Sequence, residues 1–269
     1  MLFEASRMTT PARSFFTALL LVTLGCAHLD LNRLPPPSAA ELLRDVDDLQ
    51  GLVSQVKGEA RVQVQSSQGG GEVGAFIAAR APGDVHLELL DFFGSPVQVL
   101  ASDGRSFGLY QRDKGTYLHG PVTASAISRV LPVDVSGEDL VAILLGRTPR
   151  LSGTVGPVEV DTEAEAYRLT LTLGPRHQTL WIHPRSKRVL KSVLTGPGGY
   201  TLTFERPVST GGVPFARKVT FEDASGTVVV RWSDEEVSLE GRLDGALFTP
   251  TPPPGVRSVE VDGVPPGAG

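Results

Sequence analysis

The stretch Tyr167-Arg-Leu-Thr-Leu-Thr-Leu173 alternates apolar and polar side chains with a period of two. The same alternation occurs in Arg61-Val-Gln-Val-Gln65 and in Tyr200-Thr-Leu-Thr-Phe204. Successive side chains of a strand point to opposite faces, so each stretch predicts a strand with one apolar face and one polar face. The dipeptides Asp103-Gly104 and Gly198-Gly199 favour tight hairpin turns between such runs, which indicates antiparallel neighbours. We expect about eleven strands between residues 58 and 240.

Helical patterns are few by comparison. Ser38-Ala-Ala-Glu41 is a capping box, and an apolar stripe with helical spacing follows it, which predicts a helix over 39–56. Short helices are expected over 124–130 and 136–145. About 35 helical residues cannot cover eleven strands that are apolar on one face. Such a sheet must curl on itself or pack against a second sheet, and a curled sheet with helices across its mouth encloses a hollow.

The N-terminal region has the order of an export signal. Phe15 to Leu24 is an apolar run that follows Arg13 and precedes Gly25-Cys26. Ten residues are too few to cross a bilayer, which takes about 20. Thr23-Leu-Gly-Cys26 resembles a lipobox, so residues 1–25 are interpreted as a lipoprotein signal peptide and Cys26 as the lipidated residue. Translation from Met8, and an ordinary secretory signal with an incidental thiol, remain alternatives.

Residues 26–37 are then expected to form a lipidated, proline-rich tether. Residues 38–260 form the folded domain, and residues 261–269 are expected to be a flexible tail. Resemblance to sorted lipoproteins implies an outer-membrane location facing the periplasm, because Ala27 and not Asp follows the cysteine. The single cysteine of the 269 residues excludes an internal disulfide, and the net charge of −5 argues against a nucleic-acid surface.

Three patches resemble one family of proteins. The first is Val99-Leu-Ala-Ser-Asp-Gly-Arg-Ser-Phe-Gly-Leu-Tyr110, which follows Leu89-Leu-Asp-Phe-Phe-Gly-Ser-Pro96. The second is Leu144-Leu-Gly-Arg-Thr-Pro149, and the third is Ala246-Leu-Phe-Thr-Pro-Thr-Pro-Pro-Pro-Gly-Val256. Together they resemble the LolA/LolB-like lipoprotein carriers and receptors. The resemblance implies a mainly β (α+β) fold, an unclosed antiparallel β-barrel of about eleven strands with a helical lid, whose hollow holds acyl chains.

The resemblance also implies roles for particular residues. Phe92 or Phe93 matches the apolar residue that the receptor's loop presents to the membrane, although a bend at Gly94 that buries both rings is an alternative. Ile77-Ala-Ala-Arg-Ala-Pro82 resembles the carrier's Arg-Pro stretch, with Ala81 inserted. Arg80 thereby matches the carrier's arginine that closes the lid on helix carbonyls, with a solvated strand-end arginine as the alternative. The alternation itself selects the expected cavity lining: Val62, Val64, Leu87, Leu89, Leu169, Leu171, Leu202 and Phe204.

Enzymatic patterns have little support in the sequence. Gly69-Gly-Gly-Glu-Val-Gly74 fits the dinucleotide spacing without the strand-turn-helix context that this motif requires. His177 and His183 would lie about 20 Å apart along one strand, too far to share a metal. We therefore expect neither a metal, a cofactor nor an enzyme. The acid-free basic stretch from Arg176 to Lys191 is interpreted as a solvated hairpin or, alternatively, a surface for anionic headgroups or an acidic carrier.

The expected function is that of an outer-membrane-anchored lipoprotein that binds acyl chains and accepts or inserts other lipoproteins. Its expected partners are the membrane, acyl chains of lipoproteins or lipids, and a periplasmic lipoprotein carrier. The alternative is an anchored binding or scaffold module of the same fold for another hydrophobic ligand or protein. A receptor predicts a dry hollow wide enough for several chains and an exposed loop at Phe92-Phe93, whereas the module predicts a filled or narrow hollow.

Overall fold

A computed structural model describes residues 35–67, 69–129, 131 and 133–261. The signal peptide, Cys26, most of the tether and residues 262–269 lie outside the described residues. Three α-helices are present in the described part of the chain: α1 (Ala39–Gly51), α2 (Ala124–Ile127) and α3 (Gly137–Leu144), and a 3-10 helix spans Gly245–Phe248. None of these helices is long and apolar enough to cross a membrane.

Strands make up most of the described chain, and all of them join one sheet. In chain order they are β1 (Gln55–Ser66), β2 (Gly69–Arg80), β3 (Asp84–Leu90), β4 (Pro96–Asp103), β5 (Ser106–Gln111), β6 (Thr116–Pro121), β7 (Thr154–Asp161), β8 (Ala166–Leu173), β9 (Arg176–Ile182), β10 (Val189–Thr195), β11 (Tyr200–Thr210), β12 (Val213–Asp223), β13 (Gly226–Trp232) and β14 (Arg257–Glu260).

The sheet has the spatial order β14-β6-β5-β4-β3-β2-β1-β13-β12-β11-β10-β9-β8-β7. Two antiparallel meanders, β1 to β6 and β7 to β13, are joined where β1 pairs with β13, with Val62 opposite Val230. Among the described strands, only β14 pairs in parallel, along β6. The sheet is open, with β14 and β7 at its edges, and the described residues form fourteen strands where about eleven were expected. The predicted class, an unclosed antiparallel β-barrel with a helical lid, is confirmed.

One face of the sheet, here called the inner face, carries the main apolar core. Val62, Leu87 and Leu171 point to it, and Leu42 and Val46 of α1 pack onto the same core. The connection from β6 to β7 contains α2 and α3, and its described residues, 122–129, 131 and 133–153, also cover this face. They are here called the lid. The opposite face is here called the outer face.

Strand β2 is apolar on both of its faces, so both must be shielded from water. Its stretch Ala75-Phe-Ile-Ala-Ala79 is apolar without alternation, as is typical of a strand buried on both sides. Ala75, Ile77 and Ala79 enter the main core, whereas Phe76 and Ala78 pack on the outer face against Leu243, Leu247 and Phe248. The C-terminal segment therefore covers the outer face of this strand, as the lid covers the inner face.

The predicted helix over 39–56 ends earlier than expected. Ser38 caps α1 by accepting a hydrogen bond from the Glu41 amide, but the helix ends at Gly51. Val56 is fully buried as part of β1, opposite Ala79 of β2. The three-residue spacing of Val53 and Val56 fits a helix, but Val56 also begins the strand alternation that continues at Gly58, Ala60 and Val62. Pairing with β2 satisfies the backbone hydrogen-bonding groups of β1 from Gln55 onward. The last turn of the expected helix is therefore replaced by the start of β1.

Candidate functional site: the inner hollow and its lid

The inner face and the lid enclose a small hydrocarbon hollow. All fourteen side chains that line it are apolar: Val62, Ile77, Val85, Leu87, Val219, Phe221, Val228 and Val230 from the sheet, and Leu131, Val133, Val135, Leu140, Ile143 and Leu144 from the lid. Its volume is about 40 Å³. About 10–15 Å³ of such volume holds one water molecule, so the hollow admits only a few methyl-sized groups. The wide hollow expected of a receptor is absent from the described structure, because lid side chains fill it.

The eight residues expected to line a cavity all point to the inner face. Six of them are buried in the main core, and Val64 and Leu89 pack at its margin. Only Val62 and Leu87 border the hollow beneath the lid. Phe204 borders a second space of about 40 Å³ between α1, the end of α3 and β12. Leu169, Leu171 and Leu202 are fully packed, so a role for them in ligand contact stays a prediction.

A buried glutamine holds the C-terminal end of the lid to the sheet. The Gln178 side chain is 1% exposed. Its oxygen accepts a hydrogen bond from the Leu151 amide at 2.7 Å, and its Nε2 donates to the Pro149 carbonyl at 2.7 Å and to Ser192 Oγ at 3.0 Å. The hydroxyl of Tyr200 also donates to the Pro149 carbonyl, and burial raises the pKa of this phenol.

Sequence reasoning missed this cluster, although one signal was available. Gln178 has the same strand parity as Leu180 and Ile182 on β9, so alternation places a polar amide on the apolar face. An amide at such a position needs partners, because a buried polar group without hydrogen bonds is costly. The partner proved to be the backbone of the lid.

Two arginines hold the same end of the lid to α1 and its following loop. Arg147 donates through Nε, at 3.0 Å, and through Nη2 to the carbonyl of Val53, and burial lowers its pKa. Arg150 forms a two-pronged ion pair with Asp47, at 2.6 and 3.0 Å. The C-terminal end of the lid is thus fixed by polar contacts.

The earlier part of the lid is held differently. Leu131, Val133 and Val135 are buried in the core, and the Asp134 amide donates to the Asp223 carboxylate at 2.9 Å. Apolar contacts are non-directional, and they can be replaced by another hydrocarbon surface. The lid is therefore held by several polar, directional contacts at its C-terminal end and mainly by apolar contacts over the hollow.

The turn between β3 and β4 presents two aromatic rings to solvent. Phe92 is 97% exposed and Phe93 is 88% exposed. Their rings meet edge to face at 5.6 Å. The alternative in which Gly94 bends the chain and buries both rings is therefore wrong, although Gly94 does adopt a left-handed φ of 77°. Contact of these rings with a membrane stays a prediction.

Asp91 gives this turn its shape. Its Oδ1 accepts from the amides of Phe93 and Ser95, both at 2.9 Å, and its Oδ2 accepts from Arg112 at 2.6 Å. The hydrogen bond from Arg112, followed by that from the Ser95 amide, holds the pKa of this carboxyl below its usual value. The hydrogen bonds of Asp91 thus fix the conformation of the turn that carries the two exposed rings. This turn, Asp91–Ser95, is here called the aromatic finger.

Arg80 differs from the predicted lid latch. It has the strand parity of Phe76 and Ala78, so it lies on the outer face, away from α2 and α3. Its guanidinium donates to Asp84 at 2.5 and 2.8 Å and to the Leu243 carbonyl at 3.3 Å, and it stacks over the Phe248 ring. The structure therefore corrects the expected latch: Arg80 holds the C-terminal segment.

The remaining candidate motifs have structural partners. Gly69–Gly74 lies within β2, and the His177 and His183 rings bond to Thr172 and to Ser186 respectively. No cluster of three metal-ligating side chains occurs within the described residues. In the basic stretch, Lys187 stacks over Tyr167 and Lys191 over Trp181. These contacts favour a structural role for the stretch.

Comparison with solved structures decides the architecture. A LolA superfamily protein from Nitrosomonas europaea superposes with a TM-score of 0.53 at 15% identity, covering 79% of this chain and 98% of its own. A putative outer membrane lipoprotein-sorting protein domain from Vibrio parahaemolyticus gives 0.54 at 11% identity, with 77% and 94% covered. This chain has the LolA/LolB-like fold.

A third structure extends the same fold. A DUF1329 family protein from Desulfovibrio piger matches with a TM-score of 0.54 at 13% identity, covering 80% of this chain and 98% of its own. No protein-family model and no curated protein matches the sequence. At such low identities the likeness concerns the LolA/LolB-like fold alone, and function must be argued from the hollow, the lid and the finger.

Proposed function

We propose that this protein is an extracytoplasmic, membrane-anchored lipoprotein that binds acyl chains, or a similar hydrophobic ligand, between the inner face and the lid. The observation that carries the proposal is the lining of the hollow, in which every side chain is apolar on both the sheet and the lid. A lining without polar groups suits a hydrocarbon and offers nothing for bond-making chemistry. The proposal accordingly contains no catalytic step.

Binding requires the lid to move. The hollow of about 40 Å³ cannot hold a chain of roughly 15 methylenes. We infer that Leu131, Val133, Val135 and α3 swing away from the sheet, which breaks the hydrogen bond from the Asp134 amide to Asp223. Pro149–Leu151 stays bonded to Gln178 during this movement. An acyl chain then takes the place of the lid side chains against the sheet.

The energies of this exchange are similar in size. Exposing six buried apolar lid side chains costs about 9–18 kcal/mol at 1.5–3 kcal/mol each. Burying one acyl chain of roughly 15 methylenes returns about 12 kcal/mol at 0.8 kcal/mol per methylene. One chain thus nearly offsets the opening of the lid, which suits reversible loading and release.

The finer proposal concerns location and transfer. We propose that Cys26 carries the acyl anchor in the outer membrane, that the domain faces the periplasm, and that the protein accepts lipoproteins from a periplasmic carrier. The exposed aromatic finger supports the transfer role. The narrow hollow was the expected sign of the alternative, an anchored binding module without transfer activity. Normal outer-membrane insertion of other lipoproteins in a Phe93→Glu strain would leave only that module.

Filling the hollow tests the acyl-binding proposal. Val135→Leu adds one methylene at the lid side of the hollow, which should stabilise the closed lid by about 0.8 kcal/mol and weaken ligand binding roughly fourfold. The measurements are urea unfolding and titration of the full-length Cys26→Ser protein with a fluorescent fatty acid. Val46→Leu adds the same methylene to α1, away from the hollow, and serves as the control. Equal probe affinity in wild type, V135L and V46L would refute binding beneath the lid.

A further inference from the structure

The apolar lining of the inner hollow continues towards one end of the strands. Strand β3 contributes Val85 and Leu87 to the hollow, and its next inner-face residue, Leu89, is half-buried. Strand β1 contributes Val62 in the same way, and its next inner-face residue, Val64, is half-buried as well. The strands β1 and β3 run in the same direction, because each is antiparallel to β2. Leu89 and Val64 therefore extend the lining in one direction, towards the aromatic finger that follows β3.

Strand β2 adds a third residue to this extension. Val73 lies directly opposite Val62 on the same face, and its side chain is 36% exposed. The β1–β2 hairpin continues past the end of β3, since Gly74 of β2 already pairs with Leu90. The hollow thus passes into a partly exposed apolar margin beside the finger. This margin, here called the entrance, consists of Val64, Val73 and Leu89.

The opposite end of the hollow is covered by buried aromatic rings. Val228 and Val230 of β13 line the hollow, and the next inner-face residue is Trp232. Because β13 is antiparallel to β1, Trp232 lies beyond the hollow in the direction away from the entrance. It is 2% exposed and packs against Phe215, with ring centroids 5.9 Å apart. Val228 lies opposite Val64, so the strand from the entrance to Trp232 spans about 13 Å at 3.3 Å per residue.

The lid is also held differently at these two ends. Arg147 donates to the carbonyl of Val53, which lies just before the start of β1, at the end opposite to the entrance. The Asp134 amide donates to Asp223, which ends β12 at the turn that adjoins the far end of β1. Around Asp134 the lid otherwise contacts the sheet through apolar side chains, and such contacts are replaced by another hydrocarbon without loss of direction. The lid therefore opens first at the entrance.

We propose that a single acyl chain enters the inner hollow at the entrance, methyl end first. Its terminal methyl group then lies near Trp232, and its polar head stays beside the aromatic finger. A polar head costs free energy when it leaves water, so it remains at the partly exposed end. This inference rests on the proposed acyl binding beneath the lid and adds the direction of the chain. A finger that contacts a membrane would bring the entrance to the membrane surface.

Quenching of Trp232 fluorescence by spin-labelled stearic acids tests this direction. The chain has two tryptophans, and Trp181 lies on the outer face beneath Lys191. Trp181→Phe in the full-length Cys26→Ser protein therefore leaves Trp232 as the only tryptophan. At equal occupancy, 16-doxylstearic acid, labelled near its methyl end, should quench Trp232 more strongly than 5-doxylstearic acid, labelled near its carboxyl end. Unlabelled stearic acid corrects for any change in emission caused by binding itself.

The outcomes separate the direction of the chain from its binding. Equal quenching by the two acids, or stronger quenching by 5-doxylstearic acid, would overturn the proposed direction while leaving acyl binding beneath the lid in place. Binding of both acids without quenching of Trp232 would place them elsewhere and refute both proposals.

A charge at the entrance gives a second, kinetic test. Val73→Asp should slow association of a fluorescent fatty acid roughly tenfold, because the passing chain must displace water from a carboxylate. Val208→Asp is the matched control, since this valine is 39% exposed on β11, away from the entrance. Both valines are partly exposed, so neither change removes a core side chain. Equal association rates in V73D and V208D would show that the chain enters by another route.

Discussion

Replacing both rings of the aromatic finger with serine should remove membrane affinity without loss of stability. Phe92 and Phe93 are 97% and 88% exposed, and they contact each other edge to face. The Phe92→Ser, Phe93→Ser variant therefore exposes no core surface, and the free energy of unfolding should change by less than about 0.5 kcal/mol. In solution the two rings contribute little to the fold.

The effect on membrane binding should be much larger. Burying one phenylalanine side chain contributes about 1.5–3 kcal/mol, so two rings supply about 3 kcal/mol even at the lower bound. Each 1.4 kcal/mol is a factor of ten, so the vesicle partition coefficient should fall at least about 100-fold. The change acts through the rings alone, because the bonds of Asp91 to the backbone and to Arg112 remain.

The assay is co-sedimentation of the full-length Cys26→Ser protein with phosphatidylethanolamine and phosphatidylglycerol vesicles. The acyl anchor is then absent and the apolar run Phe15–Leu24 is common to every variant, so the difference in partitioning between variants reports the exposed residues that were changed. Leu52→Ser, Leu173→Ser is the matched control, since these leucines are 63% and 48% exposed elsewhere on the molecule. Equal partitioning of the finger variant and the wild type would refute a membrane-contacting finger. An equal loss in the control variant would show that exposed apolar surface acts without regard to position.

Two other predictions concern the lid anchor and the finger. Gln178→Leu removes the partner of the Leu151 amide and one of the two donors to the Pro149 carbonyl, so urea unfolding should show a loss of about 1–3 kcal/mol. The exposed Gln65→Leu change should cost under about 0.5 kcal/mol, and a similar loss in both would contradict a specific anchor. The pKa of Asp91 is lowered in the fold, so its bracing is complete above the usual 3.8 and is lost as the pH falls through the lower folded value. The amide NMR shifts of Phe93 and Ser95 should titrate together with a midpoint below pH 3.8, and a midpoint at or above 3.8 would be inconsistent with the brace.

Alternation predicted which side chains share a face, because the period of a strand fixes orientation without knowledge of the partner strands. Val62, Leu87, Leu169 and Leu202 lie on four different strands, and all reach the same core. Which of these residues border the hollow, and which are fully packed, depends on how far the lid side chains reach towards the sheet. The lid sequence shows that Leu140 and Ile143 are apolar, but it does not show how far they enter the sheet.

Arg80 shows a different limit. Its role was carried over from a resembling stretch with one inserted residue, Ala81, and a shift of one residue reverses the face of a strand side chain. Its observed partners, Asp84 and Leu243, follow from the side of β2 on which it lies. Similarly, the parallel pairing of β14 with β6 joins segments more than 130 residues apart. Local patterning in Arg257–Glu260 cannot reveal such a partner.

The two faces of β2 to β4 are covered in physically different ways, and this difference bears on what each face can bind. On the inner face, lid side chains fill the space to about 40 Å³, so a ligand there must displace hydrocarbon contacts before it can bind. On the outer face, contacts to the Leu243 and Leu247 carbonyls hold a segment over about 550 Å³ of open space. The inner site is therefore suited to a long chain whose burial offsets the opening of the lid.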